Sequence, residues 1–357
     1  MRKFPLSLLA AAWVVLVPSF AAAAEPARAW RKQASFRTGQ LNGSEPALSA
    51  DGKLLAVAGP DGSLKLWDAQ TGKLRGTVRR QGRPLAALAF SADGKSLLFA
   101  VKDGSVGVWD VAGGRQQKSF RVARGELTGA AFAPGGKLLA LSASGPRTGR
   151  TAPVQVWDVD TGKPRRSLAG HQHAAYTLQF SADGKKLMTA GARDRTRADG
   201  PGIGSPSDAT VPEVKVWDVA RGSAVTLPTG GNVFTLTPDG KTVIVAFQDM
   251  RTYQFSFAAW DVATKKRRSV FGPQREIVLF TALAPDGGVL VTGGYGAALR
   301  RWDVAKGKQL PTLAAPREPV LRVHFSADGS RLASVGADGL AHVWSAGSPS
   351  PKSPRKP

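Results

Sequence analysis

The sequence predicts an all-β protein built from seven similar units, and three recurring patterns support that fold class. The first is a tryptophan, followed by aspartate in six of its seven copies, at Trp67, Trp109, Trp157, Trp217, Trp260, Trp302 and Trp344. The intervals between copies are 42, 48, 60, 43, 42 and 42 residues. A regular interval of about 40 residues is typical of proteins that repeat one supersecondary unit.

The second pattern is a hairpin turn before each tryptophan. Its sequence is "SADGK" or a relative, with turn residues at Asp51, Asp93, Gly135, Asp183, Asp239, Asp286 and Asp328. An apolar residue stands three positions before and four positions after each of them. Because aspartate and glycine adopt the backbone angles of tight hairpins, this pattern predicts two paired strands.

The third pattern is an alternation of apolar and polar residues that ends at the tryptophan. Segments such as "LKLW", "VGVW" and "VKVW" have the period of a half-buried strand. A turn such as "DTGK" and another short strand follow. Each unit therefore holds four short strands.

These residues resemble the WD-repeat β-propeller family over roughly residues 30–345, and the chain is identified as an exported bacterial member. The resemblance implies a seven-bladed propeller with four-stranded antiparallel blades, structural tryptophans, and a role in binding. No segment with the pattern of a strand follows Trp344. Phe36, however, lies 15 residues before the turn residue Asp51, the spacing of the fourth strand in other units. We therefore expect the N-terminal segment "RKQASFR" to complete the last blade and close the ring.

The polar network that is common in this family is expected in one blade. There, a Gly-His pair joins the blade's aspartate, hydroxyl residue and tryptophan. Only Gly170-His171 fits, and Ala192 stands at the expected hydroxyl position, so His171 is expected to be structural. Arg301 stands before Trp302, where valine or leucine is usual. We therefore expect the blades to depend more on packing than on buried polar networks.

The N-terminus has the pattern of a secretory signal peptide. Arg2 and Lys3 precede a twelve-residue apolar core and an alanine-rich segment that ends at Ala24. We expect cleavage near Ala24 and a periplasmic or extracellular protein. The alternative is that this segment is kept as a membrane anchor.

Composition and the C-terminus complete the domain organisation. Residues 347–357 are basic and rich in proline and serine, which predicts a disordered tail. The chain therefore divides into a signal peptide at 1–24, a propeller at 25–346 and this tail. The sequence contains no cysteine, which excludes disulfides and thiolate metal sites.

Three insertions interrupt the repeat in adjacent units. The distance from turn residue to tryptophan is 16 residues in units one, two, six and seven, but 22, 34 and 21 in units three, four and five. Each insertion falls between the second and third strands, and the longest is predicted as a loop over residues 191–212. In a propeller these connections share a face with the links between blades, so we expect three enlarged loops side by side.

Arginines and a tyrosine in these loops are the candidate partner-binding residues, because both residue types are favoured at binding hot spots. They are Arg147, Arg150, Arg193, Arg195, Arg197, Arg251 and Tyr253. The alternative is a tolerated insertion without a partner, and Phe255 is expected to pack under the long loop. The expected partner is a protein or a polymer, and the expected oligomeric state is a monomer.

No recognisable catalytic constellation is present, so we expect neither enzyme activity nor a cofactor nor a metal site. No carboxylate pair or serine elbow stands out, and the four histidines are not at metal-ligand spacing. The formal net charge of +23 keeps a second hypothesis open, a charge-driven binder of anionic envelope polymer or lipid head groups. No motif for specific nucleic-acid recognition is present. A third hypothesis is an enzyme with a site in the central channel.

Overall fold

Every repeat folds into one four-stranded antiparallel sheet. The computed structural model describes residues 30–38, 46–59, 61–78, 83–122, 125–144, 153–194, 210–231, 233–249, 251–296, 298–314 and 318–346. Within those ranges the regular elements are strands, arranged in seven sheets. The predicted signal peptide at 1–24 and tail at 347–357 lie outside the described residues.

The strands of blades 1 to 4 run in chain order from the centre of the ring outwards. Blade 1 contains β2 (Ala47–Leu48), β3 (Leu54–Ala58), β4 (Leu64–Asp68) and β5 (Leu74–Val78). Blade 2 contains β6 (Leu85–Phe90), β7 (Ser96–Val101), β8 (Ser105–Asp110) and β9 (Arg115–Arg121). Blade 3 contains β10 (Leu127–Phe132), β11 (Leu138–Ala143), β12 (Val154–Asp158) and β13 (Lys163–Leu168). Blade 4 contains β14 (Thr177–Phe180), β15 (Lys186–Asp194), β16 (Thr210–Asp218) and β17 (Ala224–Leu227).

Blades 5 to 7 follow the same order, except that the last strand of blade 7 comes from the N-terminus. Blade 5 contains β18 (Val233–Leu236), β19 (Thr242–Gln248), β20 (Phe255–Asp261) and β21 (Arg267–Gln274). Blade 6 contains β22 (Val278–Leu283), β23 (Val289–Gly294), β24 (Ala298–Asp303) and β25 (Lys308–Ala314). Blade 7 contains β26 (Val320–Phe325), β27 (Arg331–Gly336), β28 (Leu340–Ala346) and β1 (Trp30–Arg37).

The first strands of neighbouring blades contact each other all the way round. Each first strand touches the first strand of the next blade, and β26 of blade 7 touches β2 of blade 1. The sheets therefore form a closed ring, with the first strands at its centre and the fourth strands at its circumference. This confirms the predicted seven-bladed β-propeller.

In six of the seven first hairpins an aspartate holds the turn through its side chain. In blade 2 the Ser91 hydroxyl donates to Asp93 Oδ1 at 2.6 Å, and the Lys95 amide donates to the same oxygen at 3.0 Å. These bonds lower the pKa of Asp93. Gly94 follows with a φ of +69°, a left-handed angle that glycine adopts without steric cost. The local chemistry of the turn therefore explains why serine, aspartate and glycine recur together.

In blades 1 to 6 the aspartate after the tryptophan stabilises a different turn, the one between the third and fourth strands. Asp110 Oδ1 accepts from the amides of Ala112 at 3.1 Å and Gly113 at 3.0 Å. In blades 1 and 5 the equivalent carboxylate also forms an ion pair, with Arg75 and Arg268 respectively. The repeated dipeptide thus combines a residue that packs with a residue that shapes a turn.

Strand β1 completes blade 7, which confirms the predicted closure. It pairs antiparallel with β28, and its Phe36 is buried against Trp67 of blade 1 at a ring-centroid distance of 5.1 Å. Trp30 packs edge-on against Phe325 at 6.0 Å, and the Arg301 guanidinium lies 5.7 Å from the centre of the Trp30 ring. Arg301, which departs from the repeat, therefore contacts the closing strand through a cation–π interaction.

His342 is buried in β28 directly opposite Ser35 of β1. Neither of its ring nitrogens has a hydrogen-bond partner among the described residues. Burial lowers the pKa of His342, the nearby Lys32 lowers it further, and Asp338 acts in the opposite direction. The folded protein therefore keeps this imidazole neutral at pH values where the unfolded chain protonates it.

Replacing His342 with leucine is expected to make the protein less sensitive to acid. Below about pH 6.5 the unfolded wild type gains a proton at His342 that the folded form does not bind. The free energy of unfolding therefore decreases as the pH is lowered, and this group contributes up to about 1.4 kcal/mol per pH unit to the decrease. Urea unfolding between about pH 8 and pH 5 should show a stability gap in favour of H342L that widens as the pH falls. Parallel curves for the two proteins would show that His342 makes no such contribution.

Candidate functional site

The connections between second and third strands end on the same face of the ring as the links between blades. This follows because each blade is built in chain order from the centre outwards. We call this surface the hairpin face. The described ends of the connections that carry the insertions of blades 3, 4 and 5 lie on it, and residues 145–152, 195–209 and 250 are outside the described ranges.

The blade 4 insertion starts and ends as regular strand. Strand β15 runs to Asp194 and β16 begins at Thr210, and these two residues pair with each other. The predicted loop over residues 191–212 was therefore too wide, because both of its ends belong to the hairpin. Cross-strand pairing extends the strands through glycine and proline here, so local composition gave the wrong boundary.

The link between blades 3 and 4 holds the side of this hairpin. The His173 ring bonds to the Asp194 carboxylate at 2.8 Å, and the Asp194 amide donates to the Gln172 side-chain oxygen at 2.7 Å. The His173 amide donates to the Ala192 carbonyl at 3.2 Å. The described end of the hairpin is thus fixed to the ring from one side.

The buried network of blade 4 centres on Thr189, so the expectation that Ala192 takes the hydroxyl position was wrong. Trp217 Nε1 donates to Thr189 Oγ1 at 2.8 Å, and His171 Nε2 lies 2.6 Å from the same oxygen. His171 Nδ1 lies 2.9 Å from the Glu213 carboxylate, which can only accept, so Nδ1 carries the hydrogen and Nε2 accepts from the threonine. Burial lowers the pKa of His171. His171 is structural, as predicted.

The hydroxyl position lies six residues after the hairpin turn residue, whereas Ala192 lies nine residues after it. In three blades this position holds a hydroxyl that accepts from the tryptophan Nε1, and in those blades the tryptophan is buried: Thr189, Thr292 and Ser334, paired with Trp217, Trp302 and Trp344. In the other four blades the position is apolar and the tryptophan is half-buried: Trp67, Trp109, Trp157 and Trp260. The expectation of a polar network in a single blade was therefore too narrow.

The blade 5 insertion forms a turn that presents Tyr253 to solvent. Asp249 Oδ1 accepts from the amides of Arg251 at 2.8 Å and Thr252 at 3.3 Å, and the Tyr253 amide donates to the Asp249 carbonyl at 2.7 Å. Tyr253 has a φ of +56°, which is uncommon for a residue other than glycine. It is 67% exposed, whereas Phe255 is buried in the core shared by blades 5 and 6. The expected packing of Phe255 under the long loop stays a prediction, because residues 195–209 lie outside the described ranges.

All three tyrosines of the chain are exposed on the hairpin face, in three consecutive blades. Tyr176 lies in the link into blade 4 and is 46% exposed, and Tyr295 lies in the blade 6 hairpin and is 65% exposed. Ile277, in the link into blade 6, is 47% exposed, and its backbone packs against Gly294, the neighbour of Tyr295. Sequence reasoning identified Tyr253 alone. Placing every large side chain on the repeat frame reveals the other three.

Three of the predicted partner-binding residues lie on the described hairpin face. They are Arg193, Arg251 and Tyr253. Arg251 is exposed, and Arg193 Nη1 donates to the Asp194 carbonyl at 3.2 Å. The other four lie outside the described residues: Arg147, Arg150, Arg195 and Arg197.

The central strands present no acid–base pair. The seven first strands, which are described in full, contain no aspartate or glutamate. His324 Nδ1 accepts from the Leu48 amide at 3.4 Å and so connects blade 7 to blade 1. The Thr235 hydroxyl donates to Gln179 Oε1 at 3.1 Å and connects blade 5 to blade 4. These polar side chains make contacts between blades.

Neither a metal-binding cluster nor a membrane-spanning helix is found in the described ranges. No group of three histidine, cysteine, aspartate or glutamate side chains there could hold a metal ion. No helix in the same ranges has the length and apolar character needed to cross a membrane.

Comparison with known proteins shows which family the repeat resembles. The family model described as WD domain, G-beta repeat matches residues 45–68, 162–196 and 307–345, in the region of blades 1, 3–4 and 6–7. Three segments of the chain are therefore similar to WD40 repeats. Propellers of this kind typically act as non-catalytic scaffolds for protein interaction.

Two curated proteins are similar to part of the chain. Periodic tryptophan protein 2 homolog of Schizosaccharomyces pombe is 29% identical over 126 residues, which is 34% of this chain and 12% of that protein. Autophagy-related protein 16 of Arabidopsis thaliana is 25% identical over 142 residues, 39% of this chain and 24% of that protein. The aligned segments thus span about an eighth and a quarter of the relatives' lengths.

Replacing Thr189 with valine should destabilise the protein by about 1–3 kcal/mol, because it leaves Trp217 Nε1 and His171 Nε2 buried without their partner. Chemical denaturation measures this directly. Thr281→Val is a matched control, since the Thr281 hydroxyl is buried with no partner among the described residues. The control should be neutral or slightly stabilising. Equal losses in both variants would mean that the network adds nothing specific.

Proposed function

We propose that this protein is a non-catalytic scaffold that binds another protein through the hairpin face of blades 4 to 6. The observation that carries the proposal is the placement of every tyrosine of the chain, with Ile277, in exposed positions on that face. Large apolar side chains exposed together on one face of a soluble protein are characteristic of interaction sites. Tyrosine and arginine are also the residues that dominate binding energy at such sites.

The rigidity of the face supports the same function. Tyr253 stands on a turn fixed by three main-chain amides, and Ile277 and Tyr295 flank a close backbone contact. Tyrosine loses little side-chain entropy on binding, and a preorganised turn loses little more. A partner therefore meets aromatic side chains that are already in position.

The export of the protein is part of the proposal. The sequence pattern of residues 1–24 supports a signal peptide, and the lack of cysteine suits a compartment where thiols oxidise. The partner is then a periplasmic or extracellular protein.

A charge-driven binder of anionic polymer is the second candidate, and one observation favours it. The seven fourth strands, all described, carry thirteen lysines and arginines and no aspartate or glutamate. Basic residues on outer strands also prevent edge-to-edge pairing of sheets, so this pattern has a structural explanation as well. The two candidates differ in the surface used and in their dependence on salt.

Two glycine substitutions provide a matched test of the hairpin face. Tyr253 and Lys265 both have left-handed φ angles, +56° and +58°, so glycine at either position relieves backbone strain. Five other blades have glycine at the position of Lys265, in the turn between third and fourth strands on the opposite face. Neither Y253G nor K265G should lose more than about 0.5 kcal/mol of stability.

Binding should separate the two variants. Immobilised wild type and K265G are expected to retain the same discrete protein from the exported fraction of the source cells, and Y253G to retain at least about tenfold less. If all three proteins retain the same anionic material and release it at about 0.5 M salt, the polymer-binding candidate is correct and the hairpin-face proposal is wrong.

A further inference from the structure

Neighbouring blades share one repeated contact at the circumference, made by a fourth-strand side chain that packs on the next blade. In each fourth strand, one residue stands opposite the residue three positions before the blade's tryptophan. The seven residues at this position, which we call the seal position, are Phe36, Val78, Phe120, Leu168, Leu227, Phe271 and Leu313. All seven are buried or half-buried.

Where the seal residue is phenylalanine, its ring covers two features of the next blade. It packs against the tryptophan, at centroid distances of 5.1 Å for Phe36, 6.5 Å for Phe120 and 6.1 Å for Phe271. It also covers the glycine of the turn between third and fourth strands. A Cβ placed on Gly72 would lie 2.9 Å from Phe36, and one on Gly162 would lie 3.4 Å from Phe120.

Long side chains two residues before the seal position add a second cover in two blades. Lys118 of blade 2 donates to the Asp160 carbonyl of blade 3. Arg166 of blade 3 donates to the Arg221 carbonyl of blade 4 at 3.4 Å, and a Cβ on Gly222 would lie 3.0 Å from it. At the junctions 7–1, 2–3, 3–4 and 5–6, the turn of the next blade is therefore covered from at least one of these two positions.

The junction between blades 1 and 2 lacks both covers. Its seal residue is Val78, the smallest of the seven, and the residue two positions earlier is Gly76. A Cβ added to Gly76 would meet no atom within 4 Å, and the same holds for Gly114 in the facing turn of blade 2. The ring that three other junctions place on the tryptophan is therefore missing beside Trp109.

Where the ring is missing, a cleft of about 360 Å³ that is partly open to solvent lies between the two blades. Its walls are mainly apolar, and they include Leu54, Leu66, Val78, Val111 and the half-buried indole of Trp109. Small-molecule sites begin at about 300 Å³. The space therefore accommodates a ligand of one or two rings.

The rim determines the charge of that ligand. Arg75 borders the cavity, but its guanidinium is paired with the Asp68 carboxylate at 2.6 Å. That carboxylate also accepts from the amides of Gln70 and Thr71, which fixes it in the turn. The local charge is thus balanced within blade 1, which favours a neutral ligand over an anion.

We infer that the cleft between blades 1 and 2 is a binding site for a small neutral aromatic molecule, whose ring packs on Trp109 as the phenyl rings do on the tryptophans of blades 1, 3 and 6. This site is separate from the hairpin face and does not depend on the function proposed for that face. The phenylalanine–tryptophan contacts at three other junctions show which kind of group packs there and how its ring lies on the indole.

Phenol and cyclohexanol, which differ in aromaticity and share a hydroxyl, are the probes for the site. Saturation-transfer NMR on the full chain should show phenol binding to the wild type and much weaker binding of cyclohexanol. Val78→Phe places the missing ring in the cleft, so it should reduce phenol binding at least tenfold and raise the melting temperature by about 1–4 °C. Gly76→Lys places the stem seen at Lys118 across the same space and should also reduce binding.

The reciprocal variant opens a second site of the same kind. Phe120→Val removes the ring between blades 2 and 3 and should add phenol binding at the cost of a lower melting temperature. The inference is overturned if the wild type does not distinguish phenol from cyclohexanol. It is also overturned if V78F and G76K both bind phenol as well as the wild type does.

Discussion

The structure depends on the contact between the fourth strand of each blade and the tryptophan of the next. A four-stranded sheet cannot bury both of its faces alone, so each blade is stable only between two neighbours. In a closed ring, a junction that fails leaves two faces exposed. At the seventh junction β1, from the other end of the chain, brings Phe36 to Trp67 and completes the contact that β26 and β2 begin at the centre. Closure by β1 is therefore the constraint on which all seven blades rely.

The sequence predicted what recurs and missed what occurs once. The seven tryptophans, the hairpin aspartates and the closing strand were predicted because seven aligned copies show the same pattern. Ala192 was assigned a role that belongs to Thr189, because the insertion lengthens the distance to Trp217, although the interval of six residues from Asp183 to Thr189 is the same as in blades 6 and 7. The ends of the predicted loop at 191–212 were wrong because pairing of Asp194 with Thr210 depends on the opposite strand and not on composition. Tyr176 and Tyr295 carry no local signal, and their significance appears only when the blades are placed round the ring.

The differences between blades, more than their common plan, indicate function. Blades 4 to 6 display tyrosines on the hairpin face, whereas the outer strands of blades 7, 1, 2 and 3 hold ten of the thirteen basic residues of the circumference. At the junction between blades 1 and 2, no side chain covers Gly76 or the facing Gly114. A symmetrical ring thus carries distinct surfaces at fixed positions, which is how one rigid fold serves several contacts.

Amide hydrogen exchange of the intact protein, read on peptides covering residues 30–37 and 340–346, tests the closed ring most directly. If β1 completes blade 7, the β1 amides that donate to β28 should exchange as slowly as the paired amides of β28 and β27, because all three strands open only when the ring opens. If residues 30–37 exchange at the rate of an unstructured peptide while β28 stays protected, this strand does not close the ring, and the dependence of all seven blades on it is refuted.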